Sequence, residues 1–100
     1  MTDSQHNVLL TEHPFLLVDF YANWCEPCKL LDEILELVKA DLQEKIFIQK
    51  IDVDQSKELS QKYHVRSVPV LILFKNGKQV WRINGFLTAS ELLKEFKKHI

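Results

Sequence analysis

Two cysteines separated by two residues are the part of this chain best suited to chemistry. They lie in residues 24–29, WCEPCK, after the apolar run 15–21 and at the start of a helix-like pattern. This spacing lets the two sulfurs form a disulfide. A helix that starts at Cys25 directs free backbone N–H groups and its positive dipole end at the first sulfur. The nucleophilic thiolate is favoured there, so we predict a redox-active pair formed by Cys25 and Cys28.

Two structural interpretations of the same pair remain as alternatives. The cysteines could form half of a zinc site, but zinc needs about four ligands. The chain's four histidines show no ligand spacing, and they are His6, His13, His64 and His99. We therefore predict no metal site. The second alternative is an inert structural disulfide.

An acid interrupts the apolar run before the cysteines. Asp19 lies within residues 16–21, LLVDFY. Burying a charged, unpaired carboxylate costs several kcal/mol. Asp19 is therefore either exposed at its position or placed there for a chemical reason.

Hydrophobic periodicity predicts the elements that position these groups. Short apolar or β-branched runs indicate four strands, at 15–21, 46–53, 68–74 and 79–83. Apolar residues at three- and four-residue steps indicate helices at 25–43 and 56–63, and a weak helical segment covers 4–10. A capping box at 88–91 opens a last helix, whose expected buried stripe is Leu92, Leu93, Phe96 and Ile100.

The order of these elements predicts an α/β fold with a mixed sheet. The two strands joined through the helix at 25–43 should be parallel with a right-handed crossover. Asn76-Gly77 suits a type I′ hairpin, because both turn positions require positive φ, and it makes the last strand pair antiparallel. We expect one domain over residues 1–100, with helices on both faces of the sheet.

Composition excludes several classes of protein. Apolar residues make up 46% and charged residues 27%, and 13 basic residues stand against 14 acidic ones. These values are typical of a folded globule and indicate neither disorder nor a nucleic-acid-binding surface. The first seven residues do not resemble a secretion leader, and no uncharged apolar run approaches the ~18 residues of a membrane helix. We expect a cytoplasmic protein that does not bind a membrane.

Several motifs, taken in order, resemble the thioredoxin family. They are VDF at 18–20, WCEPCK at 24–29, DQ at 54–55, VP at 68–69, FKNG at 74–77 and Gly85. The resemblance implies a thioredoxin-like fold, exchange between a dithiol and protein disulfides without a bound cofactor, and an NADPH-dependent thioredoxin reductase as partner. Fewer residues than usual precede the first strand, so the family's initial strand should be missing and the sheet should have four strands.

The resemblance also implies a role for each reactive residue. Cys25 would be the exposed nucleophile that attacks a substrate disulfide, and Cys28 the more buried resolving thiol. Asp19 would be a buried proton acceptor for Cys28, with a pKa raised toward neutrality by desolvation. Lys50 matches a lysine near that acid and would modulate it, unless it is an ordinary solvated charge at a strand edge.

A substrate-docking surface is implied beside the cysteines. The Val68-Pro69 peptide bond would be cis, and its neighbouring backbone groups would pair with an extended substrate segment. Trp24, Pro27 and Gly85 would complete a flat apolar surface around it.

The chain departs from the family pattern within this region. Glu26 replaces a glycine between the cysteines, where its carboxylate opposes a developing thiolate and faces the docking partner. Tyr21 replaces a common tryptophan, and Glu33 replaces a helix-kinking proline, so a straighter helix is expected.

Three classes of function follow from these observations. The favoured one is a monomeric thiol-disulfide oxidoreductase that reduces protein disulfides. A disulfide oxidase or isomerase is the second. A non-catalytic thioredoxin-like binding module is the third, and the presence of both cysteines, the acid and the proline argues against it.

Overall fold

The computed structural model describes all residues from Met1 to Ile100 and contains four α-helices and four strands. In chain order these are α1 (Asp3–Glu12), β1 (Phe15–Tyr21), α2 (Glu26–Leu42), β2 (Phe47–Asp52), α3 (Lys57–Lys62), β3 (Val70–Lys75), β4 (Lys78–Asn84) and α4 (Ala89–Lys97). A short 3-10 turn, Gln43–Lys45, follows α2. No helix combines the length and the apolar composition that crossing a membrane requires.

The strands form one mixed sheet in the order β2-β1-β3-β4. β1 pairs parallel with β2, while β3 pairs antiparallel with both β1 and β4. Asn76 and Gly77 join the last two strands with φ values of 51° and 81°, as the hairpin prediction requires. The predicted mixed four-stranded sheet is confirmed, and the first element of the chain is a helix.

Both faces of the sheet are covered. Alternate side chains of β1 point to opposite faces, so its apolar run serves two cores. Leu17 packs with buried residues of α2 and α4, including Leu31, Leu35, Leu92 and Phe96. Leu16, Val18 and Phe20 pack on the other face with Leu59 of α3 and with partly buried Leu9 and Leu10 of α1. Asp19 has the same parity as Leu17, which places it on the α2 face.

The element boundaries differ from prediction in identifiable ways. β3 begins at Val70, because Pro69 has no N–H with which to join the ladder. The last helix ends at Lys97, so Ile100 lies beyond it and is 40% exposed rather than part of the buried stripe. The weak N-terminal segment is a full helix, α1, because Thr2 and Gln5 form a capping box that the sequence pattern did not reveal.

Candidate active site

The cysteine pair lies at the junction between β1 and α2. Cys25 is the N-cap of α2, and its Sγ accepts a hydrogen bond from the backbone N–H of Cys28 at 3.2 Å. Pro27 lies in the first turn, where its missing N–H costs nothing. The two cysteines form a disulfide with their Cα atoms 5.3 Å apart. The Cys25 sulfur therefore sits at the positive end of a 17-residue helix.

Burial does not distinguish the two cysteines, which corrects the expectation of an exposed Cys25. Cys25 is 4% exposed and Cys28 is 3% exposed. Both pack with buried Ala22, and the partly buried side chains Val53 and Val68 cover this cluster. The covering residues come from distant parts of the chain, so the local helix pattern could not reveal them. What distinguishes the two sulfurs is their position on the helix: one caps it and the other lies one turn inside.

Asp19 is a buried carboxyl without a hydrogen-bond partner. The residue is 1% exposed, and neither Oδ1 nor Oδ2 has a partner. Burial is the main cause that raises its pKa from 3.8 to about 7. The positive charge of Lys50 acts in the opposite direction, and the negative charge of Asp32 adds to the increase. Asp19 is therefore buried, as the resemblance implied, in an apolar setting that favours its neutral form.

Lys50 lies beside Asp19 but makes its hydrogen bond elsewhere. The two residues are register partners across the parallel β1-β2 pair. The Lys50 Nζ pairs with Oδ1 of Asp32 at 2.7 Å and lies 4.5 Å from the centre of the Tyr21 ring. Lys50 is thus an exposed charge on an edge strand, and it is paired with Asp32 rather than with Asp19.

Asp32 is a residue of this region that the sequence analysis missed. It lies on α2, four residues after Cys28, and so on the same side of the helix. That spacing was the sequence signal that could have identified Asp32. Its side chain is 47% exposed and that of Lys50 is 42% exposed, so the ion pair lies at the edge of the site.

The Val68-Pro69 bond is cis, as the resemblance implied. Pro69 is buried, and its carbonyl oxygen accepts a hydrogen bond from the N–H of Gly85 at 2.8 Å. Gly85 has a φ of 128°, a conformation that other residues rarely adopt. Val68 packs against the cysteine cluster. The structure therefore places Val68 against the cysteines, with Pro69 next in the chain and Gly85 bonded to Pro69.

Trp24, Glu26 and Pro27 form the exposed rim around the cysteines. Trp24 is 70% exposed, and its Nε1 donates a hydrogen bond to Oδ2 of Asp54 at 2.9 Å. Pro27 is also exposed. The Glu26 side chain is 82% exposed and pairs with Nζ of Lys29 at 3.1 Å. The rim is thus apolar at Trp24 and Pro27 and carries a paired charge at Glu26.

An open groove runs from this rim along α3. It has a volume of about 310 Å³, and its lining includes Trp24 and Val68. Val53 contributes apolar lining, Lys57 and Arg66 contribute positive charge, and Asp54 contributes negative charge.

Comparisons with known proteins decide the family. The thioredoxin family model matches residues 1–98. The chain belongs to the thioredoxin family. It is 46% identical over 90 residues to a thioredoxin of Mycoplasmoides gallisepticum, covering 90% of this chain and 88% of the relative. It is 43% identical over 84 residues to a thioredoxin of Staphylococcus aureus, covering 84% of this chain and 81% of the relative.

Solved thioredoxin structures share the fold. A mutant thioredoxin from Halobacterium salinarum has a TM-score of 0.87 and 32% identity, covering 97% of this chain and 84% of the other. The oxidised mitochondrial thioredoxin 3 of Saccharomyces cerevisiae has a TM-score of 0.87 and 28% identity, covering 97% and 90%. Thioredoxins are disulfide reductases, and this chain carries the cysteine pair at disulfide distance. It is a thiol-disulfide oxidoreductase.

Proposed function

We propose that the chain reduces protein disulfides with Cys25 as nucleophile and Cys28 as resolving thiol. The observation that supports this division is the position of Cys25, whose sulfur caps α2 and accepts the Cys28 N–H. A thiolate at that atom gains a hydrogen bond and the favourable end of the helix dipole. Cys28 lies one turn inside the helix and lacks both.

In the proposed reaction two electrons pass from the dithiol to the substrate. The Cys25 thiolate attacks one sulfur of the substrate disulfide, forms a mixed disulfide and releases the other substrate sulfur as a thiolate. Cys28 then loses its proton and attacks Sγ of Cys25. The mixed disulfide breaks, the second substrate thiolate leaves, and the enzyme is left with the Cys25–Cys28 disulfide.

Asp19 is proposed to accept the proton that Cys28 loses. A buried carboxyl with a pKa of about 7 exists in both protonation states near neutral pH. Its two oxygens have no other partner, and it lies on the same face of the sheet as α2. Lys50 is proposed to modulate this acid through its positive charge.

The substrate segment is proposed to dock across Val68 and Pro69. Backbone groups next to Pro69 would pair with an extended peptide, as in strand addition. Trp24, Pro27 and Gly85 would give this contact an apolar surface, with Glu26 at its edge.

We further propose a monomer that is reduced by an NADPH-dependent thioredoxin reductase in the cytoplasm. Family membership supports this partner, and a reducing compartment is where a dithiol of this kind is kept reduced. NADPH consumption that depends on a reductase, this chain and a disulfide substrate checks the electron path, and sedimentation checks the monomer.

Trapping of the mixed disulfide tests the division of labour. Cys28→Ser should accumulate a covalent complex with a disulfide substrate through Cys25, because the resolving thiol is gone. Cys25→Ser is the matched control and should accumulate almost none. Non-reducing electrophoresis and mass spectrometry measure both. Equal trapping by the two variants would overturn the assignment.

A further inference from the structure

Four groups from four elements lie around the unpartnered Asp19 carboxyl on the α2 face. The charge of Lys50 acts on it from β2 and the charge of Asp32 acts on it from α2. Tyr21 of β1 lies beneath the Lys50 ammonium. On the third side, the β3 register partner of Asp19 is Leu71, which is buried and uncharged. Lys50 is therefore the one cation placed to stabilise an Asp19 carboxylate.

Lys50 has two carboxylates within its surroundings and bonds only one of them. Its Nζ lies 2.7 Å from Oδ1 of Asp32, while both oxygens of Asp19 have no partner. Asp32 therefore competes with Asp19 for this ammonium. The competitor belongs to α2, the helix that also carries Cys28, so the ion pair joins that helix to the β2 edge of the sheet.

We propose that Asp32 is a positioning residue for the proton transfer, because it holds the Lys50 ammonium on α2 and keeps it from pairing with the Asp19 carboxylate. This inference rests on the proposed role of Asp19 in the reaction. Without Asp32, Lys50 is free to turn toward Asp19 and stabilise its charged form. Asp19 then becomes a weaker base for the Cys28 proton at neutral pH.

The test is the pH dependence of Asp19 in the reduced, full-length protein. Asp32→Asn should move the titration midpoint of the Asp19 carboxyl carbon, followed by NMR, to lower pH by on the order of half a unit. Lys50→Gln should move it to higher pH. Glu36→Gln is the matched control, because Glu36 lines the same surface cleft as Asp32 and Lys50 but is not part of their ion pair. It removes an equal charge from α2 and should move the midpoint little.

The double variant Asp32→Asn/Lys50→Gln decides whether Asp32 acts through Lys50. The effect of Asp32→Asn should shrink markedly in the Lys50→Gln background, since the ammonium that Asp32 holds is gone. An equal effect in both backgrounds would show direct electrostatics alone and overturn the proposal. So would an Asp19 midpoint that Asp32→Asn leaves in place.

A second readout separates this inference from the proposed function. The rate at which Cys28 resolves a mixed disulfide, measured by stopped flow across pH, should follow the NMR midpoint in each variant. If the midpoint shifts as described while the rate profile does not, the positioning by Asp32 stands and the role of Asp19 as proton acceptor fails. The ion pair itself is exposed and contributes little to stability, so any change in the thermal midpoint near neutral pH should follow the shift of the Asp19 titration.

Discussion

Glu26 is the family departure nearest to the reacting sulfur. Its side chain is 82% exposed and pairs with Lys29 at 3.1 Å, so its charge is both screened by solvent and partly neutralised. Exposed charges interact weakly at physiological salt, where the screening length is about 8 Å. The carboxylate should therefore oppose the Cys25 thiolate less than its position in the sequence suggests.

Replacing Glu26 by Gln measures this electrostatic effect. Gln leaves the backbone freedom as it is, whereas glycine would increase it. At low salt, Glu26→Gln should raise the alkylation rate of reduced Cys25 near neutral pH by no more than about threefold, because a nearby negative charge is removed. At high salt the difference should vanish. Lys29→Gln is the reciprocal control and should slow alkylation at low salt. A rate gain that survives high salt would contradict the electrostatic explanation.

α1 contacts the rest of the fold through a buried histidine. Its His6 is fully buried, with Nδ1 2.9 Å from Oε1 of Gln49 and Nε2 2.6 Å from the Tyr63 hydroxyl. Otherwise α1 contributes Leu9 and Leu10 to the core, both partly buried. A neutral imidazole satisfies both contacts, with Nδ1–H donating to Gln49 and the Tyr63 hydroxyl donating to Nε2.

The burial of His6 makes the docking of α1 sensitive to acid. Desolvation lowers the pKa of His6 below its usual 6.5, so the unfolded chain binds this proton more readily than the folded one. The His6 contribution to stability is therefore present above pH 6.5 and is lost as pH falls below it, by up to about 1.4 kcal/mol per pH unit. Urea unfolding of the parent and of His6→Gln at pH 7.5 and 5 measures this contribution of His6 to stability.

The free energy difference between the parent and His6→Gln should shrink at the lower pH. His99→Gln, which removes a histidine with no such network, serves as the control and should leave the pH dependence as in the parent. A parent-to-variant difference that is the same at both pH values would contradict the role assigned to His6.

At the scale of the whole molecule, Asp19 and His6 are buried on opposite faces of the sheet. They change the free energy of unfolding with pH in opposite directions. The pKa of Asp19 is raised from 3.8 to about 7, so the unfolded chain loses this proton before the folded one does. The resulting penalty is absent below pH 4, grows through pH 7 and then stays constant, at a size of roughly 4 kcal/mol. His6 acts in the opposite direction as pH falls below 6.5.

Removing the Asp19 charge should stabilise the protein near neutral pH. Asp19→Asn is expected to raise the free energy of unfolding at pH 7.5 by up to the penalty above, reduced by the cost of burying an unpartnered amide. Near pH 4 the gain should be gone. Denaturant unfolding at the two pH values is the measurement. A variant that is less stable than the parent at pH 7.5 would contradict the account.

The same experiment bears on domain organisation. We propose that residues 1–100 unfold as one domain, because both cores share the strands of a single sheet. The effects of Asp19 and His6 should then appear in one transition, although they lie on different faces.

Features with a local cause were predictable from the sequence. The reactive pair, the Asn76-Gly77 turn and the cap of α4 each depend on residues within a few positions of one another. The strand pattern also followed, because a run buried on both faces has a recognisable composition. The resemblance to thioredoxins supplied the cis bond before Pro69, which a Val-Pro pair alone does not indicate.

Features that join distant parts of the chain were decided by the tertiary structure alone. Lys50 pairs with Asp32, 18 residues away, and not with its cross-strand neighbour Asp19. His6 forms hydrogen bonds with Gln49 and Tyr63, which are 43 and 57 residues away in the chain. The equal burial of the cysteines came from Val53 and Val68. A sequence pattern indicates the periodicity of an element and the chemistry of a motif. Which side chains pair depends on which ones the packing brings within hydrogen-bond distance.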